Sequence, residues 1–313
     1  MSTTTTRSDR RRGENAPTTD TAFATAPPRR RAPYGARRPA PMERLNRRGT
    51  VVLGVGIAAL VAGVSLSVLA PPSIPDAVLE APTETVAGVG VPAGAATLTA
   101  TLDGQQVVQI LPSGTPVGVA VFFHGQGGDA GSAAETAWIA PLVSAGWVVA
   151  TGDLHGDSWG SPTASSDVID IVSWLTGETG LAPRLLVSEG MGALVSLNSL
   201  TRGAVEAGCW YGVEAMTDLT VASDYAAATE LIADAYRGRP GAADNPVEST
   251  EVLGATGSAF RFVGADGEDT FTARNSGALA EALTAAGASV SMGEVGVDEL
   301  GADLVEFAGG CAT

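Results

Sequence analysis

The feature that most constrains this chain is an alternation over its last two thirds of short, unbroken apolar runs with longer segments of helical periodicity. Runs at 118–123, 147–151, 185–188, 210–216, 259–263 and 289–292 are each four to seven residues long and carry almost no charge. A strand that is apolar on both faces belongs in a parallel sheet covered by helices on each side. The intervening stretches at 133–145, 166–175, 191–200, 223–236, 273–286 and 302–307 supply those helices. Ahead of them, 95–102 and 106–111 flank Asp103-Gly104, a two-residue hairpin signal. The order predicts a three-layer α/β domain over 95–313, with a mostly parallel sheet.

The rest of the chain differs in kind. Residues 1–48 hold twelve of the eighteen arginines against four acids, a net +8, while the remainder carries −24. The basic arm is rich in Thr, Pro and Ala, cannot bury a core and is expected to be disordered. Residues 51–70 contain no charge and match the length of a membrane-crossing helix. Arg44, Arg47 and Arg48 precede that stretch and Pro71-Pro72 end it, so 49–70 is expected to be an uncleaved single-pass anchor. The positive-inside rule then puts the arm in the cytoplasm and the acidic domain outside the cell. A cleaved signal peptide is the rival reading, weakened by the long leader and the proline after Ala70. The arm is explained by orientation, and no nucleic-acid partner is expected. Residues 71–94 read as a linker.

Cys209 and Cys311 are the only cysteines. Outside the cell an even, widely spaced count favours a disulfide between them. With two histidines and no CxxC or HxxxH spacing, neither metal nor cofactor is expected.

The run LLVSEGMGAL at 185–194 reads as a buried strand entering a helix through a tight glycine-rich turn. Together with the His124-Gly125-Gln126-Gly127-Gly128 loop after the 118–123 strand, the DLHGDS segment at 153–158, Asn245-Pro246, and the strands at 260–264 and 287–290, it resembles the α/β-hydrolase family. The resemblance covers the whole of 95–313. It implies that 185–194 is the nucleophile elbow, that His124, Gly125, Gln126 and Met191 surround an oxyanion-binding pocket, and that Asp269 stands where the triad acid sits. Two departures follow. The nucleophile position is Gly190, which has no hydroxyl. No histidine follows residue 155, although the triad base should lie after Val290. Without nucleophile and base, a serine hydrolase retains about 10³–10⁴-fold catalysis from its oxyanion hole and binding alone.

The residues therefore leave the enzyme question open between two readings. One is a pseudo-hydrolase that binds a small acyl or glycan ligand or an envelope protein. The other is an esterase-like hydrolase using different residues: Ser158 within the string GDSWG, His155, Glu189, or Asp157. Against Ser158, Ser161-Pro162 follows it, so no helix dipole faces its hydroxyl. Glu189 projects beside the elbow, where a solvated carboxylate is the blander expectation. Trp138, Trp159 and Trp174 are expected in the core or at its rim.

Overall fold

A computed structural model describes residues 86–223, 228–265 and 275–312. The expected anchor at 49–70, the basic arm and Asp269 lie outside the described residues.

Strand β1 (Ala96–Leu102) pairs antiparallel with β2 (Gln105–Leu111). The turn between them has φ of 45° at Asp103 and 81° at Gly104, the two left-handed residues that a tight hairpin needs and that Asp-Gly supplies at low cost. Strand β2 pairs antiparallel with β4 (Trp147–Gly152), and from there the sheet is parallel. Its remaining members are β3 (Gly118–Phe123), β5 (Leu185–Glu189), β6 (Cys209–Val213), β7 (Ala259–Ala265) and β8 (Ser289–Val295). Among the described residues the order is β1-β2-β4-β3-β5-β6-β7-β8. Every residue of β3, β4 and β6 is buried, as continuous apolar runs demand.

The helices fall on both faces. In chain order they are α1 (Ser132–Glu135), α2 (Ala140–Ser144), α3 (Pro162–Thr179), α4 (Gly192–Thr201), α5 (Leu219–Ala222), α6 (Ala228–Ala235), α7 (Thr250–Ala255), α8 (Gly277–Ala285) and α9 (Leu300–Gly309). One core, on the face of α3, α4 and α8, centres on Val121, Val148, Leu186 and Phe262. The other, on the face of α1, α2 and α9, centres on Phe122, Val149, Val187 and Tyr211. A third cluster of Trp159, Met191, Leu194, Met216 and Leu219 lies under α5 and α6.

Several boundaries differ from expectation. The helix expected at 133–145 is three pieces, because Thr136 is extended (φ −93°, ψ 104°) and Pro141 opens a new helix where its missing N–H costs nothing. Helix α3 begins at Pro162, four residues before the expected start, again with proline in the first turn. Strand β6 stops at Val213 because Glu214 adopts φ 45°. The segment 86–94, expected as linker, packs on the domain. Val86 and Val91 join the second core, and the Gly90 N–H donates to the Ala134 carbonyl at 2.8 Å. A Cβ at Gly90 would lie 2.2 Å from the Ala133 carbonyl oxygen, so this approach requires glycine.

Cys209, at the head of β6, and Cys311, after α9, form a disulfide with a Cα–Cα distance of 5.9 Å. It closes a separation of 102 residues, worth about 4–5 kcal/mol if chain entropy alone is counted.

Candidate functional site

The tight strand-to-helix turn expected at 185–194 is present. Strand β5 ends at Glu189, Gly190 takes φ 49°, and α4 starts at Gly192. Gly190 is held on both sides: its N–H donates to the Val213 carbonyl at 3.0 Å, and its carbonyl accepts from the Met216 N–H at 2.9 Å. A Cβ added at Gly190 would meet nothing closer than the Gly125 Cα at 3.9 Å. Room for a side chain above the turn therefore exists and is unused. Gly192 is different in cause, because its Cβ would sit 2.1 Å from the Phe123 carbonyl oxygen. That glycine lets the helix start touch β3.

Beneath the turn, Ser188 is fully buried, where it shares a 2.7 Å hydrogen bond with Ser196. The indole N–H of Trp210 donates to the Ser196 hydroxyl at 2.8 Å. This polar knot went unnoticed in the sequence, since serine and tryptophan in apolar runs signal nothing by spacing. It locks the end of β5 to α4 and β6.

Beside the turn lies a cavity of about 250 Å³, lined among others by His124, Gly125, Gln126, Glu135 and Glu189. Three expected site residues, His124, Gly125 and Gln126, thus meet Glu189 here. Met191 does not line it: its side chain is buried in the third cluster with Trp159. The apolar Met191 side chain prefers that interior, leaving only its backbone at the turn. His124 is buried, and its ring is committed at both nitrogens, Nδ1 to the Gly125 carbonyl at 2.8 Å and Nε2 to the Asp153 carbonyl at 3.2 Å. A neutral ring donates to one of the two, and with both edges facing carbonyls it shapes the loop. Burial pushes the Glu189 carboxyl above its usual range, with the nearby His124 opposing that rise.

The acids of the next loop are structural. The Asp153 carboxylate accepts from the N–H groups of Gln106 (2.8 Å) and Ala130 (3.1 Å), and Asp157 accepts from the Gly127 N–H at 2.6 Å. Ser158 and His155 are not brought together. The Ser158 hydroxyl is buried without a hydrogen-bond partner among the described residues. The His155 ring points instead to Asp167 on α3, Nδ1 to Oδ2 at 2.6 Å, and the His155 backbone N–H donates to the Gln105 side-chain oxygen beside the β1–β2 turn. Leu154, His155 and Gly156 have left-handed φ of 50°, 57° and 64° in this loop. Burial raises the Asp167 carboxyl, and His155 pulls it back. Trp159 and Trp174 are core residues, and Trp138 stacks edge-on against Phe122 with centroids 5.7 Å apart. Among the described residues no His, Cys, Asp or Glu cluster has metal-binding geometry.

No protein-family model and no curated protein matches this sequence. Its structure is similar to EstE7, a hormone-sensitive-lipase homologue from a metagenome library (15% identity, TM-score 0.54, 71% of this chain and 88% of that one). It is similar also to FphF, a fluorophosphonate-binding serine hydrolase of Staphylococcus aureus (10% identity, TM-score 0.57, 69% and 97%). A third likeness is to carboxyl esterase 2 of the fungus Tuber melanosporum (15% identity, TM-score 0.56, 82% and 98%). This chain has the α/β-hydrolase fold. At such identities the likeness speaks for architecture, and activity has to be argued from the residues. Gly190 sits at the turn between the end of β5 and the start of α4.

Proposed function

We propose that this chain is a membrane-anchored, extracytoplasmic α/β-hydrolase-fold protein that has lost serine-hydrolase chemistry and acts by binding a ligand or an envelope partner. The observation that carries this reading is Gly190: a left-handed turn residue at the elbow, with open space above it and no hydroxyl. The base finds no serine either: both ring nitrogens of His124 face carbonyls, and His155, whose Nδ1 meets Asp167, makes no hydrogen bond to a serine hydroxyl among the described residues. The uncharged stretch at 51–70 with its arginine flank supports the anchor, and the Cys209–Cys311 disulfide suits an oxidising compartment. Among the described residues no helix is long and apolar enough to cross a membrane, and the proposed anchor lies outside them.

Treatment with a fluorophosphonate followed by intact-mass measurement is the direct test. The expected spectrum shows no adduct. An adduct that disappears in Ser158→Ala would overturn the reading and make Ser158 the nucleophile. The esterase-like alternative draws its support from Glu189, a buried-side carboxylate at the cavity. It requires ester hydrolysis that Glu189→Gln abolishes.

A further inference from the structure

A second cavity, of about 620 Å³, lies between α5, α6 and the segment 238–248, and includes neither Gly190 nor His124. That volume falls within the range of pockets that enclose small organic ligands. Its apolar surface comes from Leu219, Ile232, Pro240 and Ala242. Its walls are fixed. Buried Asn245 accepts from the Leu219 N–H at 3.0 Å and donates to Asp218 at 2.9 Å. Asp244 is paired with Arg202 at 2.7 Å and accepts from the Gly241 N–H at 2.7 Å.

The charge at this cavity is unusual for the molecule. Beyond residue 48 the chain carries −24 with six arginines. Arg202 and Arg261 are spent on Asp244 and Asp303. Arg239, by contrast, lines the cavity, is exposed, and has no ion pair among the described residues. Among the described residues the lining holds one other charged side chain, Glu248. A single cation at the edge of an apolar groove favours a singly charged amphiphile, and Glu248 disfavours a doubly charged head group.

We propose that this groove binds one long-chain fatty acid, with its chain along Leu219, Ile232 and Ala242 and its carboxylate against Arg239. Arginine matches a carboxylate through two parallel N–H bonds, and the groove removes the chain from water. Fatty-acid binding rests on the reading of a binding protein, yet it involves none of the elbow residues, so the two fail separately.

The test uses the full chain in phosphatidylcholine nanodiscs and a diazirine analogue of palmitate, with crosslinked peptides mapped by mass spectrometry. Crosslinks are expected within α6 and 238–248, competed by palmitate and at least tenfold less by hexadecanol or hexadecylphosphocholine. Arg239→Glu should weaken labelling about tenfold without changing the melting temperature, since the side chain is exposed. Ala242→Trp, which fills the groove from an exposed rim, should also abolish it. Crosslinks elsewhere, equal competition by either neutral-headed analogue, or wild-type labelling in either variant would overturn the proposal. Groove labelling that persists alongside a fluorophosphonate adduct would leave the fatty-acid site standing and remove only the inert elbow.

Discussion

Two turns at the same edge of the sheet are built in opposite ways. The elbow has a single left-handed residue, Gly190, and glycine bears that conformation without steric cost. The neighbouring loop at 154–160 has five, and three of them, Leu154, His155 and Trp159, have side chains. Strain of that kind persists only when surrounding contacts impose it. Here they do. Asp157 holds Gly127, His155 holds Asp167, the Tyr236 hydroxyl donates to the Trp159 carbonyl at 3.0 Å, and Arg202 and Asn198 both donate to the Gly160 carbonyl. In a hydrolase with its serine in place, strain would sit at the elbow. In this chain the elbow is relaxed, while the strained loop still supports the His124–Gly128 loop. The 154–160 loop thus carries its strain under several clamps, whereas glycine makes the turn at 190 without strain.

Four substitutions press on that contrast, from large effects to small. Gly192→Ala should be the most damaging, costing more than about 3 kcal/mol or preventing folding, because its Cβ meets the Phe123 backbone and neither element can retreat. Urea unfolding or soluble yield measures it. A variant as stable as the parent would mean that α4 does not start against β3. Arg202→Ala removes donors to Gly160, Ser165 and Asp244 together, and should lower stability by about 2 kcal/mol, given that the pair is partly exposed. It should also speed proteolysis within 154–160, whereas an unchanged cleavage pattern would show that the clamp is not what holds the loop.

Gly190→Ser should cost only about 1 kcal/mol, since the space is open and the penalty is the left-handed backbone alone. It should restore no esterase activity, because no histidine stands ready to serve it. A rise in melting temperature would argue that 185–194 is not the elbow. The smallest effect is a pH dependence. The Glu189 carboxyl is raised by burial, so the folded state binds its proton more readily than the unfolded chain does. Wild-type stability is therefore fullest below the ordinary value of 4.5 and declines as pH climbs through the raised one. Glu189→Gln lacks that decline, so its melting temperature should exceed the wild type at pH 7 and converge with it below pH 4.5. A gap that is constant from pH 4 to pH 7 would remove burial as the cause.

Much of the architecture was legible. Buried parallel strands advertise themselves as unbroken apolar runs, and the Asp103-Gly104 turn, the 185–194 turn and the strand order along the chain all followed from local chemistry. Helix breaks were less so. Thr136 is extended because the 86–94 segment docks on Ala133 and Ala134, a contact made across more than forty residues. The candidate site divided in the same manner. Gly190 and the lack of a late histidine could be read directly, as could the company of His124, Gly125 and Gln126. What Asp153, Asp157 and His155 do could not be read, because their partners are 47, 30 and 12 residues away.

By itself the sequence determined that position 190 is a glycine and that no histidine follows residue 155. Folding cannot place a hydroxyl on position 190 itself. Only the tertiary structure decided where the polar groups are spent: His155 turned toward Asp167, His124 set between carbonyls, and, among the described residues, Ser158 buried without a partner and Arg239 without an ion pair beside an apolar groove. The physical reason is direction. Residue type fixes what a side chain is able to do, and backbone angles such as the φ of 57° at His155 fix what it can reach.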